Sequence, residues 1–260
     1  MKNKPDIAGM YQAHIQQKNQ ENSEERYVGK ESHFHASGTG TCARKHWYRS
    51  NNIQESDPTD LVSSRVMRLG TLVHSDYEEA LKSQKSNLQL NRHNSTINSS
   101  IYSSNIEQII TEGEINLPEY NVRGFFDAVF IMVTGEVYLY DFKTIRSYPY
   151  SLKFGHKKKE NYATGKVNEL HELQLATYGI AIEKTYGRLD GMFLYYYNKD
   201  NSMVKEKPVD MEYIDKAKEY WIGLNEIATS SVSPRVEKGV SPVYSWECKY
   251  CNFVTYCQDN

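Results

Sequence analysis

Residues 122–144 read VRGFFDAVFIMVTGEVYLYDFKT. Two runs rich in β-branched and aromatic residues, parted by Thr134-Gly135, have the pattern of a β-hairpin, and with GEINL at 113–117 they predict an antiparallel meander. Side chains alternate along a strand, so Asp141 and Lys143 share one face and Phe142 takes the other. Asp127 lies 14 residues before Asp141, in the preceding strand, where hairpin pairing brings it alongside. An acid set among Phe125, Phe126, Ala128, Val129 and Phe130 is costly to bury unless a charge or a metal compensates it. Paired carboxylates suit Mg²⁺ or Mn²⁺, and an adjacent lysine can orient or deprotonate an attacking water. The plainer alternative is a solvated Asp-x-Lys ion pair at a strand end.

The flanks complete an α/β pattern. Val62, Val66, Leu69, Val73, Tyr77 and Ala80 recur at helical spacing and predict one buried stripe, with Asp57-Pro58 as the N-cap and first helical position. Of residues 83–104, 11 of 22 are Ser or Asn, so 84–107 reads as a surface insertion. A lysine-rich connection (146–166) leads to a helix over 167–186 with Leu170, Leu173, Ala176 and Ile180 inside. Then come a strand at GMFLYYYN (191–198), a short partner near 203–209, and a last helix capped by Asp210 with Ile214, Ala217, Trp221, Leu224 and Ala228 inward. The expectation is a mixed central sheet flanked by helices in one domain, 32–260, preceded by a polar arm, 1–31, that is weakly ordered or a lone surface helix.

The helices add side chains to the paired acids. Gly70 and His74 lie one turn apart on the first, and a helix-interior glycine, costing about 1 kcal/mol, marks close backbone packing. Gln174 and Tyr178 are likewise one turn apart on the later helix, amide beside phenol. Taken in order on helix, strand, strand and helix, Gly70-x-x-x-His74, Gly124-x-x-Asp127, Asp141-x-Lys143 and Gln174-x-x-x-Tyr178 resemble the motifs of RecB-type nucleases of the PD-(D/E)XK superfamily, across roughly residues 37–257. The resemblance implies that His74, Asp127, Asp141 and the main-chain carbonyl of Phe142 hold the catalytic metal. It further implies that Lys143 assists the water and that Gln174 and Tyr178 position the DNA strand.

Cys248, Cys251 and Cys257 cluster near the C-terminus, and the remaining cysteine, Cys42, lies 206 residues before Cys248. This layout resembles the iron–sulfur nucleases: the nuclease domain of AddB-type recombination enzymes, and the CRISPR-associated exonucleases of the fourth Cas family with their phage and archaeal relatives. A [4Fe–4S] cluster on the four cysteines is the implied reading, with an Fe–S-stapled lobe added to the nuclease core. A structural Zn²⁺ site and free buried thiols stay open, since spacing does not separate the metals.

Composition narrows the classes. Among 260 residues, 31 Lys and Arg against 33 Asp and Glu give a net charge of −2, with no overall basic excess. The distribution is uneven: Ser32 to Gln54 holds no acid but carries Arg44, Lys45 and Arg49 among aromatic residues. Lys143, Arg146, Lys153, Lys157, Lys158, Lys159 and Lys166 face only Glu160 in their stretch. These segments, with Tyr148, Tyr150, Phe154 and Tyr162 interleaved in the second, are candidate DNA contacts. Four cysteines are too few for a disulfide scaffold, no apolar run reaches membrane-span length, and the first 26 residues lack a signal peptide's apolar segment. An intracellular setting is therefore expected.

The expected activity is metal-dependent exonucleolytic cleavage of single-stranded DNA ends, 5′ to 3′ by resemblance. The alternatives are a non-cutting nucleic-acid-binding module with structural zinc, and an endonuclease trimming CRISPR spacer precursors. No Walker-type loop is present, so unwinding would come from a helicase or other recombination or CRISPR partner.

Overall fold

The computed structural model describes residues 5–27, 34–93, 105–155, 168–228 and 230–259. Helix α1 (Ile7–Tyr27) is followed by β1 (Phe34–His35), α2 (Ala43–Ser50), α3 (Leu61–His93), β2 (Ile106–Leu117), β3 (Val122–Met132) and β4 (Val137–Ile145). Then come α4 (Ser147–Phe154), α5 (Leu170–Tyr186), β5 (Gly191–Asn198), β6 (Val204–Val209), α6 (Glu212–Ala228) and α7 (Val254–Asp259). The six strands form one mixed sheet in the order β1-β3-β4-β5-β6, with β2 against the other edge of β3.

Two registers position the site. Ala128 to Ile131 of β3 pair with Tyr140 to Val137 of β4, and ladder pairing stops there, so the strands part at Asp127 and Asp141. On its other edge β4 runs parallel to β5 from Tyr138 to Ile145, through and beyond the fork, with Asp141 opposite Leu194 and Lys143 opposite Tyr196. The meander and the mixed sheet are therefore as the alternation predicts. Helices α3 and α5 serve opposite faces of β4: Phe142 stacks on Tyr77 of α3, while Lys143 reaches Gln174 of α5.

The core lies between α5, α6 and the sheet. Leu139, Leu194, Leu175 and Trp221 are fully buried. Trp221 stacks on Phe34, and its indole N–H donates to Thr177, which also meets Thr39. The predicted α6 face is observed, with Ile214, Ala217, Trp221 and Leu224 buried and Asp210 accepting the Glu212 N–H.

Several local expectations are corrected. Of the two forms expected for the N-terminal arm, the helix is observed, but it is not a lone one, since it buries Ile15 and touches α3. Helix α3 continues to His93, through the first part of the expected surface insertion 84–107. An established helix extends at small cost per residue, so Ser and Asn do not stop it. Its first turn is capped by Asp60, whose Oδ1 accepts the Val62 and Ser63 N–H groups. Asp57 instead reaches the C-terminal segment, accepting from the Thr255 N–H and hydroxyl. The buried stripe is rotated: Val66, Val73 and Tyr77 are half-buried, whereas Val62 and Leu69 are exposed.

Candidate active site and cysteine cavity

Asp127 Oδ2 accepts the Phe142 N–H at 2.5 Å, a bond made possible because the β3–β4 ladder opens there. His74 Nδ1 approaches the same oxygen at 3.5 Å from α3. The helix comes this close because position 70 is glycine: a Cβ there would lie 2.9 Å from Thr144 Oγ1. Gly124 is required for a similar reason, since a Cβ would meet Ala36 and the Tyr178 ring.

On the other face, Lys143 Nζ lies 2.5 Å from Asp141 Oδ2 and 3.0 Å from Gln174 Oε1. Gln174 Nε2 donates to the Tyr178 hydroxyl at 2.9 Å. Asp141 is completely enclosed, and burial pushes its carboxyl up to about 6; Lys143 opposes this, and Asp127 adds to it. Although charged contact with Lys143 is close, Asp141 Oδ2 accepts no well-directed hydrogen bond. A buried oxygen in this condition beside a second carboxylate and an imidazole is a donor set that fits a hard divalent cation. Among the described residues, however, no three His, Cys, Asp or Glu side chains already converge as a metal-ligating group.

A cleft of about 450 Å³ opens between α3 and the sheet, lined by Met67, Gly70, His74, Asp127, Thr144 and Lys199. Lys199 is absent from the sequence-derived set. The signal was its position just past GMFLYYYN, since neighbouring parallel strands end at the same edge and bring this residue to the end of the catalytic strand.

The four cysteines, 215 residues apart at their extremes, line one cavity of about 300 Å³ together with Lys45 and Glu247. Hydrogen bonds join its walls: the Cys42 N–H donates to Glu247 Oε2 and the Ala43 N–H to Ser241 Oγ. Burial pushes the thiols of Cys42 and Cys248 up. All four cysteines border the cavity, and sulfur is the donor that soft metals take, but among the described residues their side chains do not converge as a metal-ligating group.

The candidate DNA contacts divide. Arg49 and Arg146 are exposed, and Arg49 is 3.6 Å from Glu55. Arg44 is engaged internally, donating to the Pro234 carbonyl and to Cys257 Sγ. Lys45 belongs to the cysteine cavity, where burial and then Arg49 pull its ammonium down. Lys153 is no surface contact, because its ammonium ion-pairs with buried Glu172, which Lys207 also holds. Tyr150 is buried and packs on Phe154, whereas Tyr148 is exposed. Tyr178, only 3 % exposed, reaches the site through Gln174. Lys157, Lys158, Lys159, Tyr162 and Lys166 lie outside the described residues.

Fold and site together define an α/β protein with two carboxylates and a lysine at a strand fork. The chain belongs to the PD-(D/E)XK nuclease superfamily, whose family model matches residues 90–258. It is similar to the crystal structure of SSO0001, at 21% identity and a TM-score of 0.55, covering 96% of this chain and 97% of that one. A proposed exonuclease from Eubacterium rectale is similar at 14% identity and a TM-score of 0.50, over 91% and 92% of the two chains. At these identities the likeness concerns the fold. No curated protein matches the chain. Among the described residues, no helix is long and apolar enough to cross a membrane.

Proposed function

We propose that the chain is a Mg²⁺- or Mn²⁺-dependent deoxyribonuclease that removes nucleotides from single-stranded ends, 5′ to 3′. The observation that carries this is the strand fork, where Asp127 and His74 meet from one side and Asp141, Lys143 and Gln174 from the other. His74, Asp127, Asp141 and the Phe142 carbonyl would hold the metal. When bound, it supplies positive charge to the scissile phosphate and acidifies the attacking water. Lys143, held between an anion and an amide oxygen, orients that water and offsets charge developing on the phosphate. The water gives one proton to solvent as its oxygen bonds to phosphorus and the ester P–O bond breaks, and the leaving sugar oxygen takes a proton back from solvent. A 450 Å³ cleft suits a nucleotide or two of one strand better than a duplex, which supports the single-strand preference.

The same reading places a [4Fe–4S] cluster on Cys42, Cys248, Cys251 and Cys257, as a staple between the start of α2 and the C-terminal segment. Their shared cavity supports it. Of the surface cations, Arg49 and Arg146 remain DNA contacts, joined by Lys157, Lys158 and Lys159 on charge alone.

The test is anaerobic purification with metal analysis and a visible spectrum, then digestion of 5′- and 3′-labelled single strands with Mg²⁺ or Mn²⁺. Iron with sulfide and a brown chromophore, and loss of the 5′ label first, are expected. Asp141→Ala and Lys143→Ala should abolish cutting while leaving the circular dichroism unchanged. A colourless, zinc-loaded protein that binds DNA without cutting it would replace this reading with that of a binding module.

A further inference from the structure

Lys199 follows the last residue of β5, and its backbone N–H donates to the carbonyl of Ile145, at the end of the strand that carries Asp141 and Lys143. Its side chain lines the cleft that contains His74 and Asp127. The turn that presents it is built from within. Asn198 is buried, and its side-chain oxygen accepts from the Ser147 hydroxyl and the Asp200 N–H. The Asp200 carboxylate in turn accepts the Ser147 N–H at 2.7 Å. These bonds tie the β5–β6 turn to the start of α4 and bring Lys199 close to Arg146.

The electrostatics of this corner are unbalanced. Among the described residues, no carboxylate lies within ion-pairing distance of the Lys199 ammonium; Asp200, the acid that attracts it, is bonded to Ser147. Burial first, and then the neighbouring Arg146, pull the Lys199 ammonium down. Lys199 at the cleft wall and the exposed Arg146, held near it by the bonds on Ile145 and Ser147, repel each other in the free protein. A bound anion removes that cost, and the same cleft is lined by His74 and Asp127 of the site where a phosphodiester would be cut.

We infer that Lys199, with Arg146 beside it, is a binding site for a backbone phosphate of the nucleic acid, adjacent to the phosphate that is cleaved. The inference rests on the nuclease reading and deepens it. Lys199 acts in holding the strand and not in the chemical step. Its backbone N–H, not its side chain, does the structural work, so side-chain variants keep the turn.

The experiment measures binding of a fluorescein-labelled single-stranded oligonucleotide in EDTA at several NaCl concentrations, and then steady-state cleavage, for wild type, Lys199→Gln and Lys199→Arg. Loss of one charge-assisted contact should raise Kd and KM about ten-fold in Lys199→Gln. The slope of log affinity on log salt should fall by about 0.7, with kcat retained. Lys199→Arg should restore both. An unchanged KM and salt slope in Lys199→Gln would overturn the inference. A wild-type chain that cuts nothing, while Lys199→Gln still loses the salt slope, supports the phosphate contact and overturns the exonuclease reading instead.

Discussion

The Lys143 ammonium is held 3.0 Å from Gln174 Oε1, and the Tyr178 hydroxyl accepts from the NH₂ at the other end of the same amide. An ammonium only donates, so Lys143 itself requires the amide oxygen to face it, and Tyr178, which can donate or accept, meets whichever group is left at the other end. The amide thus joins the lysine to the phenol and holds the ammonium in place. Gln174→Leu should therefore lower kcat by about 10²-fold, the scale of a positioned acid–base group, with little change in melting temperature. Tyr178→Phe should cost less, because the amide oxygen still faces Lys143 and only the hydrogen bond at the other end of the amide is lost. Full activity in Gln174→Leu with either metal would remove Gln174 from the site.

The approach of α3 to the catalytic strand depends on Gly70 and Thr144, whose hydroxyl a Cβ at position 70 would crowd at 2.9 Å. His74 is one turn further along the same helix and would be displaced with it. Gly70→Val should destabilise the fold by about 1–3 kcal/mol, as overpacking does, and should also reduce activity. Replacing Thr144 with Ala in the same chain should recover part of both. Chemical denaturation and cleavage assays on the single and double variants measure the coupling, and strict additivity would exclude it.

Where one strand or helix face decides the outcome, the sequence was sufficient. Period-two alternation puts Asp141 and Lys143 together, and the hairpin brings Asp127 beside Asp141 at the fork, one residue beyond the last ladder pair, where it accepts the Phe142 N–H. What remained hidden depends on partners distant in sequence. Asp57 and Asp60 both precede α3 and both suit a cap, yet only the fold reveals that Asp57 binds Thr255, 198 residues away. Lys153 looks like one more member of a basic run until burial brings Glu172 to it. The α3 stripe was misphased because its exposed Leu69 and Val62 are as apolar as its inward residues.

Segment 55–57 joins the C-terminal segment to the helix that carries His74. Asn252 Nδ2 donates to Glu55 at 2.6 Å, the Asp57 N–H to the Asn252 carbonyl at 2.9 Å, and the Tyr256 N–H to Ser56 Oγ at 3.1 Å. Asp57 completes the link through the two Thr255 donors. Asp57→Ala should speed hydrogen exchange at the Thr255 amide and its neighbours in α7, while amides of β4 and β5 keep their protection. Asp57→Asn, which retains acceptor oxygen, should fall between the two. Unchanged exchange at Thr255 in the alanine variant would show that the link contributes nothing in solution.

Glu172 gives the fold a defined response to acid. It is 2 % exposed, with Lys207 Nζ at 2.5 Å and Lys153 Nζ at 2.8 Å from Oε1. Burial alone would raise its carboxyl, but the two lysines outweigh that and hold it below its ordinary value of 4.5. A carboxylate depressed on folding contributes stability that is fully present above its unfolded pKa and is lost as pH falls through the folded one. Wild type should therefore lose melting temperature below about pH 4.5 from this group. Glu172→Gln leaves two ammonium groups without their anion and should cost about 3–5 kcal/mol at neutral pH. Because glutamine does not titrate, the two melting curves should converge as pH falls from 6 toward 3. Thermal denaturation across that range checks the assignment, and parallel curves would mean that the lysines do not recognise the Glu172 charge.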